Sequence, residues 1–305
     1  GVARMPHIAL VTVHAARATD ADLAPLQAAL LDAGAQVAIV DWDDAAVDWS
    51  VFDLVVLRSS WDYTERYVEF LIWAERVSHL TRLLNDFEIV RWNTDKHYLA
   101  ELERAGIAIV PSHFIEAEAD VMAELQAFLD AHGECAELVV KPAIGAGSRD
   151  TQRHARHDID AIIAHVERLL RAGRSVLLQP YLDRVDDAGE TALIHFDGAF
   201  SHAIRKGPLL RKDAGPTAEL YAPEQIDARE PGADERALAT KVLAALPFAG
   251  MPAYARVDLI RAADGSPLLL ELELTEPSLF FAHGPGSAQR FAASLLAHCA
   301  QDARG

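Results

Sequence analysis

Ala255-Arg256-Val257-Asp258-Leu259 and Leu270-Glu271-Leu272-Glu273-Leu274, joined through Ala262-Ala263-Asp264-Gly265-Ser266-Pro267, decide how this chain is read. The linking residues are those of a hairpin turn, with strands on either side. Alternate side chains of an extended strand share one face. Glu271 and Glu273 therefore point the same way, and pairing across the turn brings Asp258 and Arg256 beside them. Three acids on one sheet face repel one another unless a divalent cation lies between them. Oxygen donors without histidine or cysteine suit Mg²⁺, which usually keeps substrate phosphates among its ligands. The hairpin points to phosphoryl chemistry.

Upstream, the first ninety residues alternate strand and helix. His7–Val13, Gln36–Val40 and Phe52–Leu57 read as strands, and residues 22–33 carry a helical period that stops at Gly34. This is the pattern of a small parallel sheet, whose strand ends would face ligand. Arg58-Ser59-Ser60-Trp61-Asp62-Tyr63 follows the third strand directly. There Arg58 is placed to grip a carboxylate bidentately, although a solvated turn with Trp61 packed inward reads equally well.

The middle of the chain predicts a helix from Asn93-Thr94-Asp95-Lys96 to Arg104, capped by Asn93 or Thr94, and a short strand over Ile107–Pro111. Further helices are expected over 120–132, 158–172, 234–246 and 287–299. Strands are expected over 137–142, 151–154 and 175–179, and Asp197-Gly198 should turn a hairpin between 190–196 and 199–205. The polar stretch Gly207–Pro231 reads as a mobile loop. Trp42, Trp49 and Trp73 read as packing residues, His195 and His202 as surface residues, and Asp183–Asp187 as a solvated loop.

Lys141-Pro142-Ala143-Ile144-Gly145-Ala146-Gly147-Ser148 places a lysine at a strand end ahead of glycines. A P-loop has the reverse order, but amides of such a loop can still approach phosphate oxygens. The ordered set then runs through Asn93-Thr94-Asp95-Lys96, Lys141-Pro142 with its glycines, Gln179-Pro180-Tyr181-Leu182, Gly189-Glu190, Arg256-Val257-Asp258 and Glu271-Leu272-Glu273. Over nearly its full length the chain resembles the ATP-grasp superfamily. Within it, Trp92–Lys96, Lys141–Thr151 and Arg58–Tyr63 resemble the cyclo-ligases of D-cycloserine biosynthesis, which close O-ureido-D-serine into an isoxazolidinone ring.

The resemblance implies an α/β ATP-grasp fold. Residues 1–90 would be a Rossmann-like domain, 91–178 a central lobe with the glycine loop, and 179–305 a C-terminal lobe with the metal site. It implies ATP and Mg²⁺ as cofactors. Lys96, Lys141 and Gly145, Ala146, Gly147 and Ser148 would meet phosphates. Gln179, Pro180, Tyr181 and Leu182 would meet adenine, and Glu190 the ribose. Asp258, Glu271 and Glu273 would hold Mg²⁺, with Arg256, Arg205 and Lys206 near the transferred phosphoryl group. Arg58, Ser59, Trp61 and Asp62 are the expected substrate loop. One departure is Glu273, where the family usually has asparagine. The extra charge should strengthen metal binding or favour a second ion.

The implied reaction passes through an acyl phosphate attacked by a nitrogen of the same molecule. An intermolecular amino-acid ligase and a nucleotide-binding regulatory protein remain alternatives. A dinucleotide oxidoreductase is disfavoured, because His14–Thr19 lacks the glycines that a pyrophosphate needs. A net charge of −18 argues against nucleic-acid and anionic-membrane partners, and the resemblance implies a small amino-acid-like substrate and a possible homo-oligomer. Two cysteines are too few for a disulfide framework. With neither a secretory leader nor a membrane span in the pattern, a cytoplasmic setting is expected.

Overall fold

The computed structural model describes residues 4–145, 149–208 and 225–302. Three sheets, one after another along the chain, make up the fold. The first is parallel, with strands β1 (His7–Thr12), β2 (Gln36–Asp41), β3 (Leu54–Ser59) and β4 (Leu83–Leu84) in the order β2-β1-β3-β4. β1 and β3 are apolar almost throughout because helices cover both faces of such a sheet. On one face Leu26 and Leu30 of helix Leu23–Asp32 meet Phe291 and Leu295 of the closing helix Ser287–Asp302. The other face carries Trp42, Trp49, Phe70 and Trp73 in edge-to-face and stacked contacts, so these tryptophans are packing residues as expected.

The chain then departs from the predicted pattern. Asp86, not Asn93 or Thr94, caps the next helix, its carboxylate accepting from Ile89 N at 3.1 Å. That helix spans Phe87–Asn93, and a separate one spans Tyr98–Arg104. With the helix begun early, Asn93 falls at its last turn. Residues 107–111 form no strand beyond a single bridge from Ile109 to Leu269, because Pro111 lacks the N–H a ladder would need.

The second sheet is antiparallel, in the order β5-β8-β6-β7, built from β5 (His113–Ile115), β6 (Glu137–Pro142), β7 (Gln152–Ala155) and β8 (Val176–Pro180). Helices Val121–Ala131 and Ile159–Arg171 cover one face, meeting through Leu125, Phe128, Ile162 and Val166. The third sheet runs β11-β10-β9-β12-β13, from β9 (Glu190–Phe196), β10 (Ala199–Lys206), β11 (Ile226–Ala228), β12 (Tyr254–Arg261) and β13 (Pro267–Glu273). Asp197 and Gly198, at φ 50° and 83°, turn the β9–β10 hairpin with the left-handed pair such a two-residue loop requires.

Two expectations for this sheet need correction. Part of the stretch read as a loop, Ile226–Ala228, pairs with Ile204–Lys206, while residues 209–224 and the mobility expected of them lie outside the described residues. His195 and His202 are buried, at 3% and 8% exposure. A hairpin usually keeps one face in water, but here both faces are covered. The segment after β13 lies over His202, whose Nε2–H donates to Leu279 O at 2.8 Å. Asp183–Asp187 is partly a short helix, with Asp186 accepting from Arg153 and Tyr181. Among the described residues no helix is long and apolar enough to cross a membrane.

Candidate active site

One cavity of about 430 Å³ lies where the carboxyl ends of the first sheet, the inner face of the second and the acid hairpin of the third converge. Its wall takes in Lys141, Gln179–Leu182, Glu190, Lys206, Arg256, Asp258, Glu271 and Glu273. Residues as distant in the chain as Thr19 and His283 thus share one enclosure.

The strand register does what the alternation predicts. Asp258 lies opposite Glu271, and Arg256 opposite Glu273. The acids do not close a ready-made cage, however. Among the described residues no three His, Cys, Asp or Glu side chains are gathered as a metal site. Basic groups supply the neutralisation that the sequence reading assigned to a cation. Asp258 accepts from Arg256 Nε at 2.9 Å and Nη2 at 3.0 Å and from Lys206 Nζ at 3.4 Å. Glu271 accepts from Lys141 Nζ at 3.1 Å. Glu190 lies 3.6 Å from Lys206.

Electrostatics separates the two glutamates of β13. Burial would raise Glu271, but Lys141 and Lys96 reverse that and hold it well below the usual carboxylate range. Burial and the Glu271 anion both push Glu273 upward. The neighbours therefore share a proton near neutrality, as two close carboxyls do when like charge forbids full ionisation. Glu190 is also raised by burial, against the pull of Lys206. A pair of carboxyls that binds a proton between them, facing a third acid on the adjoining strand, is a donor set of hard oxygens. It fits Mg²⁺, provided the lysines and arginine release the acids.

Lys96 and Lys141 approach the second sheet's glycine turn from different elements. Lys96 Nζ donates to Gly145 O at 3.1 Å and its backbone N–H to Ala143 O at 2.9 Å. Both lysines are buried. Ala146, Gly147 and Ser148 lie outside the described residues. Gln179, Pro180, Tyr181 and Leu182 all line the cavity, with Gln179 Nε2 tied to Ser112 Oγ at 3.0 Å. Asn93 braces the acid strand from below. Its Nδ2 donates to Leu272 O at 2.7 Å and its Oδ1 accepts from Leu274 N at 2.8 Å, on either side of Glu273.

Several expected site residues lie elsewhere. Arg205 turns away from the cavity and donates to Ala188 O and Asp187 O. Adjacent strand residues face opposite ways, so placing Lys206 inside puts Arg205 outside. Arg58 is 1% exposed and does not line the cavity, donating to Leu57 O and Pro277 O, with its guanidinium 4.8 Å from the Tyr254 ring. Ser59 is buried against Thr12, and Asp62 accepts from Trp42 Nε1 at 2.9 Å and from Arg66. β3 is buried on both faces, so its last residues fill core, and only Trp61 and Tyr63 of that loop reach the wall. The sequence reading quoted Tyr63 in that loop without assigning it a role and missed Glu276, and both line the cavity. Glu276 is an acid three places beyond Glu273, off the strand alternation that flagged its neighbours.

Known proteins resemble this chain in sequence and fold. Residues 8–85 fit the profile of the family described as D-cycloserine synthetase DcsG, N-terminal domain. Over 292 residues the chain is 43% identical to cycloserine biosynthesis protein DcsG of Streptomyces lavendulae, covering 94% of this chain and 97% of that protein. The crystal structure of D-cycloserine synthetase DcsG superposes with TM-score 0.91 at 42% identity, over 96% of this chain and 99% of that one. D-alanine–D-alanine ligase from Bacillus anthracis complexed with ATP gives 0.70 at 16% identity, over 99% and 100%. The ATP-grasp ligase PsnB complexed with minimal precursor, Mg and ADP gives 0.62 at 18%, over 96% and 98%. At the last two identities the likeness is one of fold.

Proposed function

Because this chain belongs to the D-cycloserine synthetase family of ATP-grasp ligases, we propose that it closes O-ureido-D-serine into D-cycloserine with hydrolysis of ATP. It is an ATP-dependent carboxylate–amine ligase. The reading rests most on one observation: the hinge segment Gln179–Leu182 and the cluster of Lys141, Lys206, Arg256 and three acids occupy a single enclosure.

A free carboxylate resists nucleophiles because oxide would have to leave. Transfer of the γ-phosphoryl group to the carboxylate oxygen makes phosphate the leaving group instead. Catalysis of such a transfer is mostly positioning and charge stabilisation. Lys96 and Lys141 would meet the α- and β-phosphates, Gln179–Leu182 the adenine and Glu190 the ribose. Arg256 and Lys206 would face the migrating group. Asp258, Glu271 and Glu273 would hold Mg²⁺, which when bound supplies charge neutralisation between phosphate oxygens.

The ureido nitrogen bonded to oxygen then attacks the acyl carbon. A C–N bond forms, the C–O bond to phosphate breaks, and the nitrogen loses its proton. The carbamoyl fragment leaves as CO₂ and NH₃, so one water is consumed overall together with ATP. Ring closure is intramolecular and can draw on effective molarities of about 10⁵ M when the groups are well oriented.

Incubation with Mg-ATP and O-ureido-D-serine should release ADP and the ring product in equal amounts. A product that incorporates a second amine would identify an intermolecular ligase. Tight nucleotide binding with no ADP release from any carboxylate would identify a regulatory protein.

A further inference from the structure

We infer that Glu276 is the residue that receives the α-ammonium group of the amino-acid substrate, an assignment that rests on the reaction proposed above. Glu276 lies at the end of the cavity bounded by Trp61, Tyr63 and Pro277. It is 5% exposed. Its Oε2 accepts from Ser60 Oγ at 2.7 Å, and its backbone carbonyl accepts from Trp61 Nε1 at 2.9 Å, so the side chain is held in place from the first sheet. Its Oε1 is buried and has no hydrogen-bond partner.

Asp22, Asp258, Glu271 and Glu190 of the same wall differ in this respect. Asp22 has both oxygens on backbone amides, of Leu279 at 2.6 Å and Phe281 at 3.1 Å. Asp258, Glu271 and Glu190 face arginine or lysine within the site. Among the described residues Glu276 forms no ion pair. An ionised Oε1 there lacks a donor, and a protonated one lacks an acceptor, so neither form is satisfied by the protein alone. Leaving a buried polar atom unpaired is costly, and a ligand that supplies an N–H removes that penalty.

A divalent cation is a poor occupant, since one carboxylate and one hydroxyl are too few donors. A primary ammonium needs a single compact anion and tolerates hydroxyl and aromatic neighbours, which Ser60, Trp61 and Tyr63 provide. The distance along the chain from Glu273 to Glu276 is three residues. An amino acid whose carboxylate lies at the phosphoryl end would thus find a partner for its α-nitrogen a short way along the same wall. The geometry also explains why amine-bearing acids would be chosen over their deaminated counterparts.

Calorimetry with O-ureido-D-serine and with the same acid lacking its amino group tests this. The unsubstituted protein should bind the amine about 100-fold tighter, the scale expected when one partner of a buried charge pair is missing. Glu276→Gln should weaken the amine by about 100-fold and bring the two ligands to near equality. Its melting temperature should be no lower, because an unpaired buried carboxyl has been removed. Retention of the preference in Glu276→Gln overturns the assignment, as does equal binding of both ligands by the unsubstituted protein. Failure of that protein to bind or convert either compound overturns the cyclisation reading, and this assignment with it.

Discussion

Replacing Asn93 with alanine should loosen the strand that carries the acids. Its amide is 6% exposed and makes three contacts with the other chain segment, to Leu272 O, Leu274 N and Thr275 Oγ1 at 3.1 Å. Alanine leaves Leu272 O and Leu274 N buried without partners. Each such group costs about 1–3 kcal/mol, so the pair should remove about 4 kcal/mol of stability. At about 2 °C per kcal/mol for a chain of this size, the melting temperature should fall by about 8 °C in a ligand-free thermal melt. Because the two released groups flank Glu273, the Mg²⁺ concentration needed for half-maximal ADP release should rise as well. A melt within about 2 °C of the parent, with the same Mg²⁺ dependence, would show that the amide does not brace the strand.

Glu271→Ala should abolish ADP release while the fold persists, because it removes one of the proposed metal donors; retained turnover would take Glu271 out of that role. Arg58→Ala should lower stability by about 3 kcal/mol through lost packing on Tyr254 and two lost backbone contacts. An unchanged melt with weakened amino-acid binding would instead return the residue to the substrate. Acid should destabilise the second sheet through His165, which burial holds down to about 4. Its ordinary value is about 6.5, so the unfolded chain binds the proton more readily. The stability is complete above about pH 6.5 and is lost as pH falls toward 4, by about 2 kcal/mol at pH 5. Urea midpoints at the two pH values check this, and an equally steep acid limb in His165→Gln would exclude it.

The acid hairpin was legible because its residues alternate with period two and the turn between them is short, so one strand pairing fixes which side chains meet. Lys141 was legible for a different reason, being a strand-end lysine followed by Pro142 and the glycine turn that begins at Gly145. Face was harder to read. Arg205 and Lys206 are both basic and both near a strand end, and only the register with β9 decides that Lys206 enters the cavity. Arg58 misled because a strand buried on both faces carries no alternation to reveal where its last residue points. His195 and His202 depended on what covers the hairpin, which comes from distant segments. Glu276 sits past the end of a strand, in a turn with no period, and only the fold brings it to Ser60.

The pairing of Lys141 with Glu271, and of Lys206 with Asp258 and Glu190, has a consequence for assembly. In the resting enzyme Lys141 and Lys206 are already occupied by acids. On the proposed roles, loading would be a change of partners, in which the triphosphate draws the amines while the divalent ion takes the oxygens they leave. Either arrival alone strands buried charge of one sign. Nucleotide and metal should consequently be strongly cooperative, each scarcely retained without the other, and the empty enzyme should discriminate against free ATP by its own internal neutrality.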